Sequence, residues 1–105
     1  MVNKNFTITR GDSLQFRLNF VDAESLPDQI YFKLKDNVNS QDTLVELTLG
    51  HGITKVEYMR SYDFFIDASL TENLQLLNYL YQIIVIFGDD HDTIVEGKLV
   101  ITPEL

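Results

Sequence analysis

Three stretches of this chain hold residue types that could do chemistry. Arg10-Gly11-Asp12 matches the tripeptide that integrins bind. Gly88-Asp89-Asp90-His91-Asp92 sets three carboxylates and an imidazole within five residues. His51 and His91 are the 2 histidines of the chain. Each has a plainer reading. Gly11 supplies the backbone angle that a tight turn or bulge needs, and Asp12 can accept N–H bonds inside it. The paired aspartates resemble those of some polymerases, but a palm domain needs far more chain and a third carboxylate on a separate strand. A Ca²⁺ loop through Asp89, Asp90 and Asp92 needs six to eight oxygens and a closing bidentate Glu, which the spacing does not give. An Asp-rich hairpin turn bonding to its own backbone accounts for the same residues. Zinc needs three or four ligands, and the two histidines sit in separate turns with no third ligand at suitable spacing.

The 16 acidic residues admit a carboxylate pair by count alone. A glycosidase pair must flank a cleft at about 5 Å or about 6.5–9.5 Å, and a domain this small has little room for both cleft and core. There is no Gly-rich phosphate loop, helix-turn-helix pattern or pair of RNA-binding aromatics. The expectation is a non-enzyme, with no catalytic, cofactor-binding or metal-binding residue and no cofactor.

The elements that position these stretches read as β-structure. Phe6 and Ile8, then Leu14, Phe16, Leu18 and Phe20, alternate with polar partners at a period of two. Ile30, Phe32 and Leu34 form the next strand, Thr43–Leu49 another, and Ile53–Tyr58 a weaker one near an edge. Tyr62, Phe64 and Ile66 follow, with Phe65 on the nominally wet face. Asp22–Asp28 and Asn37–Asp42 read as loops, and Gly50-His51-Gly52 as a strand end. Ala68–Leu77 breaks the pattern: Ser69 or Thr71 can cap a short helix whose Leu70, Leu74 and Leu77 recur at helical spacing. Tyr79–Phe87 is apolar on both faces and reads as a central strand buried on both sides. After a Gly88–Asp92 turn, Val95, Gly97, Leu99 and Ile101 would face inward. Tyr58, Tyr62, Tyr79 and Tyr81, with Phe65, fit either cross-strand packing or an aromatic contact patch.

Length and composition set the frame. The 105 residues make one β-sandwich domain, residues 1–105, with a modest core. The fold class predicted is all-β, an immunoglobulin-like antiparallel sandwich of about seven strands with one short helical turn. Zero cysteines exclude a disulfide framework. The net charge of -8 disfavours binding to a nucleic-acid backbone or an anionic membrane surface. No apolar run is long enough to span a bilayer, and the N-terminus has no signal-like pattern, so a soluble protein made in the cytoplasm is expected.

The order of pieces resembles a known group. FTITRGDSLQFRLNF is similar to the opening "ITRGD-S-F-F" run of small immunoglobulin-like modules in tailed phages and prophages. Thr71 and Leu74 resemble their "T..L" helical turn, Tyr79-Leu80-Tyr81-Gln82-Ile83 their "Y-Y-I" strand, and Asp92–Ile101 their closing strand. Asn78 stands where relatives often have Gly. The group is the N-terminal domain of siphophage upper baseplate proteins, and the likeness runs from Phe6 to Pro103. It implies a virion structural role in baseplate or tail, present in the bacterial cytoplasm during assembly. The implied partners are other virion proteins, with homo-oligomers admitted and no nucleic acid or membrane insertion. The alternative is a carbohydrate- or peptide-binding sandwich module.

Overall fold

Alternating apolar and polar residues become nine strands and one helical turn in the computed structural model, which describes residues 2–20, 25–37, 43–57, 59–74 and 78–103. The strands are β1 (Val2–Asn3), β2 (Phe6–Thr9), β3 (Leu14–Asn19), β4 (Gln29–Lys35), β5 (Val45–Leu49), β6 (Gly52–Lys55), β7 (Ser61–Ile66), β8 (Asn78–Phe87) and β9 (Asp90–Thr102); α1 is Ala68–Thr71. They pair along one path, β1-β9-β8-β4-β5-β6-β7-β3, with β2 also on β9. The path folds over at β5–β6, where only Thr48 and Leu49 pair with Gly52 and Ile53. One layer is therefore β1/β2, β9, β8, β4 and β5, and the other is β6, β7 and β3.

The inner faces of the two layers meet in the core. Ile30, Phe32 and Leu34 come from β4; Tyr79, Tyr81, Ile83 and Val85 from β8; Val95, Leu99 and Ile101 from β9; Tyr62, Phe64 and Ile66 from β7. Rings bridge the layers. Phe16 of β3 stacks on Phe6 of β2 and on Phe64 of β7, each at 4.8 Å between centroids, and lies 6.2 Å from Phe32. Phe32 stacks on Tyr81 at 5.3 Å. Such ring pairs add to the apolar area each side chain removes from water.

Two turns carry the chain between layers. Arg10-Gly11 turns it from β2 to β3, with Gly11 at φ 89° and the Asp12 N–H donating to the Thr9 carbonyl at 3.0 Å. Gly50-His51-Gly52 turns it from β5 to β6, with both glycines at φ 94°, a region that side-chain-bearing residues avoid. A Cβ on Gly52 would also lie 2.6 Å from Leu47 Cδ2.

Several expectations change. The described residues form nine strands rather than about seven, and the pairing is only mostly antiparallel: β1 and β2 run parallel to β9, and β5 to β6. The turn after β8 is only Gly88-Asp89, because Asp90, His91 and Asp92 pair with Phe87, Ile86 and Val85. A register shift beside Ile83/Ile84 then resets the alternation so that Val95 faces the core. The helix is a single turn. Neither Ser69 nor Thr71 caps it; Asp67 is its N-cap, and Leu70 is 39% exposed. The strand expected over Ile53–Tyr58 ends at Lys55. Tyr58, Leu77 and parts of the loops at Asp22–Asp28 and Asn37–Asp42 lie outside the described residues.

Thr71 is fully buried and ties α1 to the first layer switch. Its hydroxyl lies 2.8 Å from the Asp12 carbonyl and 3.0 Å from that of Ala68. Thr71→Val keeps the shape and strands the Asp12 carbonyl. It is expected to cost about 1–2 kcal/mol, a drop of roughly 4–8 °C in Tm per kcal/mol, read by thermal circular dichroism. An unchanged midpoint would mean that Leu74 packing alone holds the turn.

Candidate functional site

The stretches that suggested chemistry turn out to be architectural. Arg10-Gly11-Asp12 is the first layer switch; its Arg10 N–H donates to the Thr102 carbonyl at 2.9 Å. Gly88, at φ 60°, donates its N–H to Asp28 Oδ2 at 2.6 Å, so Asp28 braces the β8–β9 turn. His51 and His91 are exposed on different turns. Among the described residues no group of three His, Cys, Asp or Glu side chains could hold a metal ion.

The tyrosines divide the same way. Tyr62, Tyr79 and Tyr81 are 2–3% exposed and belong to the core, so the aromatic patch that would contact a partner or a sugar is not built from them. Phe65 stays exposed, as its strand parity requires. Tyr81 also reaches past the core: its hydroxyl donates to the Lys4 carbonyl at 2.6 Å. Burial pushes its phenol pKa up to about 12. The folded value therefore lies above the unfolded value of about 10. The stabilisation is complete below pH of about 10 and is lost as pH rises toward the folded value. Urea unfolding across that window is expected to show a steepening loss of stability, reduced in Tyr81→Phe. Burial raises Tyr62 too, so some alkaline dependence persists in that variant.

The outer face of the second layer carries an ion pair. Arg17 Nε donates to Asp63 Oδ1 at 2.7 Å and its Nη2 to Oδ2 at 3.2 Å. That hydrogen bonding holds the Asp63 carboxyl below its usual range and raises Arg17. Both groups meet water, so the pair contributes little to stability.

The outer face of the other layer is different. Residues paired in register share a face, which gives the rows Tyr31–Ile84–Thr93, Lys33–Gln82–Glu96 and Lys35–Leu80–Lys98 across β4, β8 and β9. The expectation that β8 is buried on both sides fails here. β8 is central, between β9 and β4, yet Leu80, Ile84 and Ile86 are only half-buried, because a two-layer sandwich covers one face of each sheet. A depression of about 290 Å³ opens on this face among Lys33, Lys35, Leu80, Gln82, Glu96 and Lys98. Lys33 Nζ stands 5.5 Å from the Tyr31 ring centroid. Among the described residues none of these three lysines has a carboxylate within ion-pair distance; the pair found there is Arg17–Asp63. The apolar signal in β8 was visible in the sequence, whereas the convergence of Lys33, Lys35 and Lys98 depends on pairing between distant strands.

The pairing defines an immunoglobulin-like sandwich: a sheet of first, seventh, sixth, third and fourth principal strands faces one of second and fifth strands with a short edge partner. No family model matches the chain, and no curated protein matches it. Among solved structures, the chain is similar to the extracellular domain of the voltage-gated sodium channel beta4 subunit, reported as parallel homodimers in a study of cell-cell adhesion. The identity is 13% and the TM-score 0.48, over 98% of this chain and 93% of that one. The assignment of the sandwich rests on the strand pairing. No described helix is long and apolar enough to cross a membrane.

Proposed function

We propose that the chain is a structural module of a phage or prophage virion, a baseplate or tail component that works through protein–protein contacts and without turnover. One observation carries the contact reading: the outer face of the central strand is apolar at Leu80, Ile84 and Ile86, which stay only half-buried although the strand lies in the middle of its sheet. Side chains of this kind on a sheet that faces water are a recurrent mark of a docking surface. The virion assignment is supported by the sequence resemblance from Phe6 to Pro103. The motifs behind it are architectural in this fold: the first layer switch, the Thr71 anchor, β8 and β9. A module selected for assembly geometry keeps its scaffold and its faces and needs no cleft chemistry.

Antibodies against the folded domain are expected to decorate the tail or baseplate of particles purified from the bacterial host. Particles that contain no copy of the chain would overturn the assignment.

A further inference from the structure

The charge of this molecule is unevenly placed. Of its 8 basic residues, Lys33, Lys35 and Lys98 converge on the depression in the outer face, whose lining has one carboxylate, Glu96, with Glu46 opposite Lys33 on β5, in a chain carrying 16 acidic residues. Among the described residues none of those ammonium groups stands within ion-pair distance of a carboxylate. At the other end of the same sheet stands the β8–β9 hairpin tip. Asp89, Asp90 and Asp92 are exposed there, and the exposed Asp28 braces the turn through Gly88. Leu80, at the depression, and Phe87, at the tip, are separated along β8 by about 24 Å at 3.4 Å per residue. A tip cannot reach the depression of its own chain over that span, but it can reach that of a neighbour.

We propose that the depression receives the acidic β8–β9 hairpin tip of a second copy of this chain. The carboxylates of Asp89 and Asp90 lie against Lys33, Lys35 and Lys98, and Leu80 forms the apolar floor. Donor and acceptor surfaces are different patches of one molecule, so the contact is head-to-tail. It propagates from copy to copy and closes into a ring where the rotation permits. Opposite charge at the contact also offsets the repulsion between chains of net charge -8. The inference names the partner of the contact face and rests on the contact reading above. It is tested on the purified chain, so its failure is distinguishable from absence of the chain from particles.

The test is native mass by light scattering behind a sizing column, across concentration and ionic strength. The average mass is expected to rise with concentration in low salt and to return to that of the monomer in high salt. The screening length falls from about 30 Å at 0.01 M to about 3 Å at 1 M. A Lys33→Glu/Lys35→Glu variant and an Asp89→Lys/Asp90→Lys variant are each expected to stay monomeric and to unfold cooperatively, because all four side chains lie outside the core; the first loses a little stability because a carboxylate at position 33 faces Glu46. Mixed in equal amounts, the two variants restore both kinds of contact, and association is expected to return. A strict monomer in low salt at millimolar concentration would overturn the inference. So would association that survives either variant, or variants that fail to associate when mixed.

Discussion

Gly97→Ala is expected to unseat the N-terminal strand from the sheet. The chain crosses over Gly97 between β1 and β2, and a Cβ there would stand 1.8 Å from the Lys4 carbonyl oxygen and 2.7 Å from its carbon. Both are backbone atoms, so no rotamer change relieves the clash. Lys4 is itself fixed: its N–H donates to the Glu96 carbonyl at 3.1 Å, and its carbonyl accepts from Tyr81. Asn5 Oδ1 accepts from the Lys98 N–H at 2.9 Å. Moving Lys4 away breaks this set together and opens the edge of β9. Overpacking of this kind costs about 1–3 kcal/mol, and each lost hydrogen bond about 1 kcal/mol more. Against a total of about 5–15 kcal/mol for a domain, that is a large fraction. Hydrogen exchange is expected to show Lys4 and Lys98 losing protection before the rest of β9, with a midpoint lowered by at least about 15 °C. Retained protection at both amides would show that the crossing can shift as a unit.

Phe32→Ala is expected to be the most damaging truncation in the core. Phe32 is 1% exposed and lies between Tyr81, stacked at 5.3 Å, and Phe16, at 6.2 Å. In antibody domains a disulfide between the second and sixth strands, packed on a Trp of the third, pins the two sheets together. This chain has no cysteine and no tryptophan. Phe16 on β3, Phe32 on β4 and Tyr81 on β8 occupy the corresponding strands, with Phe6 and Phe64 extending the cluster. Removing a ring from the middle leaves a cavity the neighbours cannot close, at a cost of about 3–5 kcal/mol. Phe65→Ala, on the exposed face of β7, is the matched control and is expected to change stability by less than about 0.5 kcal/mol. Chemical denaturation of the two variants side by side checks both values; equal losses would contradict the assignment of the core.

Much of this was legible from local pattern. The alternation from Leu14 to Asn19 and from Ile30 to Leu34 identified strands and their inward residues, because one covered face imposes a period of two. The break after Ile66 located the helical turn. What escaped the sequence was decided by long-range pairing. Nothing local shows that Phe6 to Thr9 joins β9 in parallel, since that depends on residues more than 90 positions away. Asp caps as well as Ser and better than Thr, but the alternation through Ile66 assigns Asp67 to the strand and hides the cap; Thr71 is drawn inward by the Asp12 carbonyl. Gly97 was read as an inward strand residue, and only the crossing of Lys4 reveals why glycine stands there. The contact face was half legible. Apolar residues on both sides of β8 were plain, but whether the second side was covered by the protein itself depended on the number of layers.

If the chain is the virion module proposed above, the outer face of the layer holding β4, β8 and β9 is its working surface. Lysine-directed cross-linking with mass spectrometry on intact purified particles reads that surface. Intermolecular links are expected from Lys33, Lys35 and Lys98, which surround the depression, and few from Lys55 on the opposite layer. Intermolecular links from Lys55 with none from those three would contradict it.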